Sequence, residues 1–322
     1  MFGVRVLFSN LFSGRSESTA NSPFVRSVAN KKTLSAVDLD VFVNSTRKVA
    51  NKFTKISRAG RYRIGRAEGA PLFWHVGVPN FGDDINPWFF SSISDVKMRL
   101  STSRNHQHFL GVGSLLDRAT ENSVVLGSGM LRPLENPIHP NTRFIAVRGE
   151  YSAEATDCGF NVLRGDPLVL SNLLFRPPQK KKYRLGIVPH VRSFDHFFHT
   201  ARRKGRIIDP SVRPLKVIEQ IAACEFIASQ SLHGLIVADA LNIPNVWVRP
   251  AANMDGGDFK FLDYFSTLDQ PKTAVTLESV LNETLENLPF SVSNYLYDKE
   301  NYLKVLRTAL CNGIDGVSVP EP

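Results

Sequence analysis

The stretch Glu225–Val248, EFIASQSLHGLIVADALNIPNVWV, constrains the fold more than any other part of the chain. Phe226, Ile227 and Ala228 make an apolar run that reads as a short buried strand, and Ser229, Gln230 and Ser231 interrupt it. Leu232–Leu241 then carries a helical pattern, Asn242 suits a helix stop, and Pro244 lies where a helix cannot continue. Asn245–Val248 reads as the next strand. The result is a strand–turn–helix–strand unit whose turn sets hydroxyls and His233 at a helix N-terminus. Unpaired backbone N–H groups and the helix dipole make such a position a natural anion site.

The same grammar extends in both directions. From Pro71, Leu72–Val76 reads as a strand, followed by the loop GVPNFGDDINP and a helix near Trp88–Leu100. HFLGVGSLL, SVVLGSGML and RFIAVRGEY are short apolar runs ending in glycine and polar residues, the look of buried parallel strands with loops at their carboxyl ends. Ser152–Cys158 reads as a short helix, and NVLRGDPLVL closes this half. The Pro- and Lys-rich RPPQKKK at 176–182 is the best linker. Beyond it YRLGIVPHV opens a second strand series, which KVIEQIAACEFIASQS and Asn245–Arg249 continue, and residues 277–322 read as helical. The expected organisation is a basic N-terminal extension (1–70), an α/β domain (71–176), a second α/β domain (183–275) and packing helices (276–322). Alternating strands and helices in two blocks indicate an α/β fold class with two Rossmann-like, doubly wound sheets. Ligands of such sheets bind beyond the carboxyl ends of the strands, so the cleft between the two is the expected site.

Charge narrows the partners. Residues 1–70 hold 13 Lys and Arg against 4 Asp and Glu and so carry the whole net charge of +9. The remainder is neutral, which argues against nucleic acid as a partner of the folded body. Within the basic segment, residues 1–35 read as poorly ordered, and Val41, Phe42, Val49 and Phe53 are spaced for an amphipathic helix over 36–58. A helix docked on the body is the first reading of this segment. Attachment to anionic lipid and an organelle-type transit peptide are the other two. No run approaches the roughly 18 apolar residues of a membrane span. The three cysteines, Cys158, Cys224 and Cys311, are odd in number and widely spaced, pointing to neither a disulfide framework nor a zinc site. The expected compartment is the cytoplasm, with residues 1–70 as the candidate membrane contact.

Chemistry concentrates in a few places. In the Gly77–Pro87 loop, Asn80, Gly82, Asp83, Asp84 and Asn86 precede a helix, where they serve as helix caps or as a clamp and general base for sugar hydroxyls. Arg148 ends a buried-looking strand beside Gly149, placed to bind phosphate or carboxylate or to pair with Glu150 or Glu154. His233 near an anion gains a proton and becomes a donor, and His190 in IVPHVR ends another strand. Asp166 in RGDPLVL reads as a turn or Asx cap. The P-loop, HExxH and full GxGxxG patterns are absent, and the DLD at Asp38–Asp40 reads as coincidence.

Taken in order, WHVGVPNFGDDINP, GVGSLL…VVLGSGM, AVRG, GDP, IVPH and SLHGLIVADALNIPNVWV resemble the polysaccharide pyruvyl transferase family over about residues 72–250. That resemblance implies a two-lobed fold like the GT-B glycosyltransferases. It also implies transfer of the enolpyruvyl carbons of phosphoenolpyruvate to two hydroxyls of one sugar, giving a cyclic ketal, on a polysaccharide or its lipid-linked precursor. The expected roles are His233 as acid, with Asp83 or Asp84 as base; Arg148, Ser231, Leu232, His233 and His190 for the donor; and Asn80, Gly82, Asp83 and Asn86 for the acceptor. No metal and no cofactor beyond phosphoenolpyruvate as co-substrate is expected. The family often carries an arginine before the Leu-His pair, where this chain has Ser231, so another cation (Arg148, Arg192 or Arg249) takes a larger share of the donor. A nucleotide-sugar glycosyltransferase and a non-catalytic saccharide-binding relative are the alternative readings.

Overall fold

The computed structural model describes residue 60, residues 68–178, 180–250 and 255–314, and residue 316. The amphipathic helix read over 36–58 and most of the basic segment lie outside the described residues.

Six strands form one sheet: β1 (Ala70–Phe73), β2 (Met98–Leu100), β3 (His108–Leu110), β4 (Ser123–Ser128), β5 (Arg143–Val147) and β6 (Leu163–Arg164), in the order β2-β1-β3-β4-β5-β6. Five more form a second: β7 (Tyr183–Val188), β8 (Arg206–Ile207), β9 (Cys224–Ser229), β10 (Asn245–Val248) and β11 (Ala274–Val275), in the order β11-β10-β9-β7-β8. Every pairing in both sheets is parallel. Read from β8, the second sheet repeats the order of the first: its opening strand lies between the next two, and the chain then steps outward. Each sheet therefore has one point where the strand order reverses, β1/β3 and β7/β9, and ligands of doubly wound sheets bind beyond the carboxyl ends of such strands.

The strands are near-continuous apolar runs because both faces are covered. Val124 and Leu126 of β4 point to one apolar cluster, and Val125 between them to another. In β10, Trp247 and its neighbours Val246 and Val248 divide in the same way. The first of these clusters is shared: Leu72, Val124 and Leu126 of the first sheet join Val188, Ile227 and Trp247 of the second.

Local differences from the sequence reading have simple causes. The helix read to Leu100 stops at Ser94, where Asp95 takes a left-handed conformation (φ 60°), and Met98–Leu100 pairs with β1 as an edge strand. Asn86 is the first residue of that helix and Ile85 its cap. Lys216–Ala222 belongs to a helix, Pro214–Ala222, since Val217, Ile218, Ile221 and Ala222 fall on one buried face, and the strand begins at Cys224. The C-terminal stretch contains the helices Leu277–Asn282 and Lys299–Cys311, with the short 3-10 helix Leu285–Asn287 and otherwise irregular chain between them. The latter helix returns to the first half: the Tyr302 hydroxyl donates to Gly165 O at 2.6 Å and Arg307 Nε to Ile93 O at 2.8 Å. Among the described residues no helix is long and apolar enough to cross a membrane.

A candidate active site at two strand-order reversals

Both reversals open on one cavity of about 330 Å³. His75, Asn80 and Asp83 reach it from the loop after β1, and Ser114 from the loop after β3. His190 and Arg192 come from the turn after β7; Ser231, Leu232 and His233 come from the turn after β9. Lys260, on the helix Phe259–Phe265 beyond β10, completes the polar lining with Asp255 and Arg118.

The first wall is tied to itself. Asn80 precedes the helical turn Phe81–Asp84; its backbone N–H donates to Asp84 Oδ2 at 3.1 Å and its amide to Asp83 Oδ2 at 3.0 Å. Asn86 is fully buried: its amide nitrogen donates to Asp83 O and Val112 O, and its oxygen accepts from Val112 N at 2.7 Å. The Asn86 side chain thus fastens the β1 loop to the β3 loop, and its amide faces protein on both sides. Gly82 has a different task. A Cβ there would lie 1.8 Å from His233 Nδ1, so only glycine admits the imidazole beside this turn. The Phe81 ring meets the same imidazole edge-on, and its backbone N–H donates to Pro210 O, carrying the loop onto the second half of the fold.

The second wall is built around Ser229. Its hydroxyl accepts from Ser231 N at 3.1 Å and donates to Ser231 O at 2.8 Å, fixing the turn before the helix Leu232–Ala240. Ser231 is the N-cap but makes no side-chain cap bond. His190 Nδ1 accepts from Arg192 N at 3.3 Å, which leaves Nε2 to carry the proton of the neutral ring. Burial, helped by Lys260 and Arg192, lowers the His190 pKa to about 4. Burial, then Lys260 and Arg148, pushes His233 down to about 3. The imidazole expected to be a charged donor is therefore neutral here, and a second proton on it requires negative charge brought into the cavity. Burial and the neighbouring Arg148 likewise lower Lys260, to about 8.

Arg148 stands behind the wall. It is 1% exposed; Nε donates to Asp263 Oδ2 at 3.0 Å, one terminal nitrogen to Ser114 Oγ at 2.8 Å, and the other to Met130 O. Gly129 makes room for it, since a Cβ there would lie 2.4 Å from Cζ. The guanidinium thus fixes Ser114 and locks the first half to the Phe259–Phe265 helix, and its charge reaches the cavity through His233 and Lys260. Arg249 is paired with Asp258 at 3.2 Å and lies over Trp247. Of the three cations proposed to share the family arginine's task, Arg192 is the one on the cavity wall. Lys260 went unread in the sequence: no local motif marks it, and its signal is topological, a cation on the helix that follows β10. Asp84 supports the Asn80 turn, while Asp83 reaches the cavity. Cys224 is buried, with its thiol pushed up to about 12 by that burial, the state of an inert structural thiol.

The polysaccharide pyruvyl transferase family model matches residues 99–251. Among curated proteins, an uncharacterised protein, L143, of Acanthamoeba polyphaga mimivirus is 28% identical over 226 residues, 64% of this chain and 78% of that protein. The succinoglycan biosynthesis protein ExoV of Rhizobium meliloti (strain 1021) is 28% identical over 210 residues, 62% of this chain and 64% of that protein.

Proposed function

Starting from the match of residues 99–251 to the polysaccharide pyruvyl transferase family, we propose that the chain transfers the enolpyruvyl group of phosphoenolpyruvate to two hydroxyls of a saccharide, closing a pyruvate ketal. The observation that carries this reading is the pairing of opposite chemistries in one cavity. Arg192, Lys260 and the open N-terminus of the Leu232–Ala240 helix line it together with Asn80, Asp83 and His233. The cationic groups suit a small donor bearing a phosphate and a carboxylate. Asn80 and Asp83 suit hydroxyl groups. The two facing lobes would make the arrangement GT-B-like. The naming of ExoV as a succinoglycan biosynthesis protein supports a saccharide acceptor, free or lipid-linked.

Two anionic groups entering beside His233 raise its proton affinity from the low value that burial gives it. The protonated ring passes its proton to C3 of the donor; the C2=C3 π pair forms the new C–H bond, and C2 becomes electrophilic. A saccharide hydroxyl adds to C2 as Asp83 takes its proton. Phosphate departs with the electrons of its C2–O bond, and the second hydroxyl closes the ketal. Of the two hydroxyl protons, one replaces that given to C3 and the other leaves with phosphate. Arg192 and Lys260 hold the donor in place of the family arginine absent at Ser231, with Arg148 supporting them from behind Ser114.

The test is incubation of folded protein with phosphoenolpyruvate and a panel of saccharides. Phosphate release that requires a saccharide is expected. Stabilisation by a nucleotide sugar with no response to phosphoenolpyruvate contradicts the reading and favours a glycosyltransferase.

A further inference from the structure

Asp166 is fully buried behind His233, a placement that its sequence context does not reveal. Its Oδ1 accepts from Leu168 N at 3.0 Å, the Asx cap of the turn Pro167–Leu170. Its Oδ2 is buried and has no hydrogen-bond partner among the described residues. His233 Nε2 is in the same condition, and the two atoms face each other at 3.9 Å. Unpartnered buried polar atoms are rare in folded proteins. A potential N–H donor and a carboxylate acceptor left open toward each other form a matched set. The separation exceeds a hydrogen bond by about 1 Å, a gap that a small ring movement closes, and catalytic contacts tighten in this way when substrate binds.

The geometry also separates the two ring nitrogens. Nε2 is buried and faces Asp166. The ring lines the cavity with 13% of its side chain exposed, and Nδ1 lies against Gly82. We propose that Asp166 is a positioning residue for His233: it accepts Nε2–H, fixes that tautomer, and leaves Nδ1 as the nitrogen that hands the proton to the donor. The inference rests on the reading of His233 as the acid, and it adds which nitrogen acts and which carboxylate sets it. In the step, Nδ1–H breaks as C3–H forms, and the ring is left neutral with Nε2–H on Asp166. Before the step, the carboxylate stabilises the imidazolium against Lys260 and Arg148, the cations that face the ring. Asp166 itself faces Arg148, Asp263 and the hydroxyls of Tyr264 and Tyr302. Burial lifts its pKa to about 6, so the carboxylate form that accepts Nε2–H prevails above that pH.

Asp166→Asn separates this role from simple packing. The Leu168 N–H holds the amide oxygen in the cap, so the amide nitrogen falls where Oδ2 was and presents a donor to Nε2. The probe is ¹⁵N NMR of histidine-labelled full-length protein, with phosphoenolpyruvate turnover measured alongside. The expected result is an Nε2–H ring at position 233 in the wild type and an Nδ1–H ring in the variant. Turnover should fall by about 10²–10⁴-fold, with the KM for phosphoenolpyruvate within about threefold and an altered acid limb of the pH profile. An Nδ1–H ring in the wild type, or a variant with wild-type tautomer and turnover, overturns the proposal. The wild-type spectrum decides the matter even if the variant fails to fold. It also decides it if no pyruvyl transfer is found, so failure of this inference and failure of the assigned reaction are told apart.

Discussion

Arg148–Asp263 and His233–Asp166 are neighbouring buried acid–base pairs, and they are finished to different degrees. In the first, every nitrogen of the guanidinium has a partner, and the carboxylate also accepts from the Ser152 backbone N–H and hydroxyl. In the second, the facing atoms stand 3.9 Å apart with no partners among the described residues. A closed pair repays part of its desolvation and holds a shape; an open one keeps electrostatic strain available for a ligand to relieve. The contrast sets Arg148, read from the sequence as a donor-binding residue, behind the cavity wall, and leaves His233, read as the acid, on it.

Asp263→Ala leaves the Arg148 charge buried without its partner and should cost about 3–5 kcal/mol of stability, read from urea unfolding; a loss below about 1 kcal/mol would remove the structural role of the closed pair. His233→Gln should act the other way round, lowering turnover by about 10²–10⁴-fold while unfolding at a denaturant concentration near that of the wild type. Lys260→Met should raise the KM for phosphoenolpyruvate by about 10- to 100-fold, the loss of a charge-assisted contact, and Lys260→Arg should recover part of it. An unchanged KM in Lys260→Met would leave the donor to Arg192 and the helix terminus.

The smallest effect is a pH slope. The pKa of Asp166 is raised in the folded state to about 6 from an ordinary 3.8, so the folded chain keeps a proton that the unfolded chain loses. That costs stability as pH rises from about 4 to about 6. The lowered pKa of His233 has the opposite sign: the unfolded chain takes up a proton below 6.5 that the folded chain refuses until about 3, so stability is lost on acidification. Between pH 4 and 6 the two contributions offset. Asp166→Asn removes one of them, so its stability relative to wild type should climb by about 1.4 kcal/mol per pH unit across that window. A flat difference would mean that Asp166 titrates normally.

Much of the fold was legible because parallel strands buried on both faces write themselves as short apolar runs, as in SVVLGS and NVWV. The short edge strands were not, since Leu163–Arg164, Arg206–Ile207 and Ala274–Val275 are two residues each and carry no period. Lys216–Ala222 was folded into the strand series because an apolar helix face and a strand look alike over a few residues. In the site, the motif loops led to His233, Asp83, Asn80 and His190 on the cavity wall. What sequence could not reveal was direction. Asn86 faces the β3 loop, Arg148 faces Asp263, and Asp166 uses one oxygen for its cap and turns the other toward His233. The glycines of GSGM and NFGDD gave no hint that they make room for Arg148 and for His233.

In the proposed reaction the cavity protonates C3 of phosphoenolpyruvate and joins C2 to two saccharide hydroxyls. Turnover of phosphoenolpyruvate labelled with ¹³C at C2, run in D₂O with an accepted saccharide and followed by NMR, tests it most directly. The expected product is a labelled ketal carbon on the saccharide bearing a CH₂D methyl group, formed in step with phosphate. Phosphate released without label on the saccharide, or a ketal methyl group free of deuterium, would contradict it.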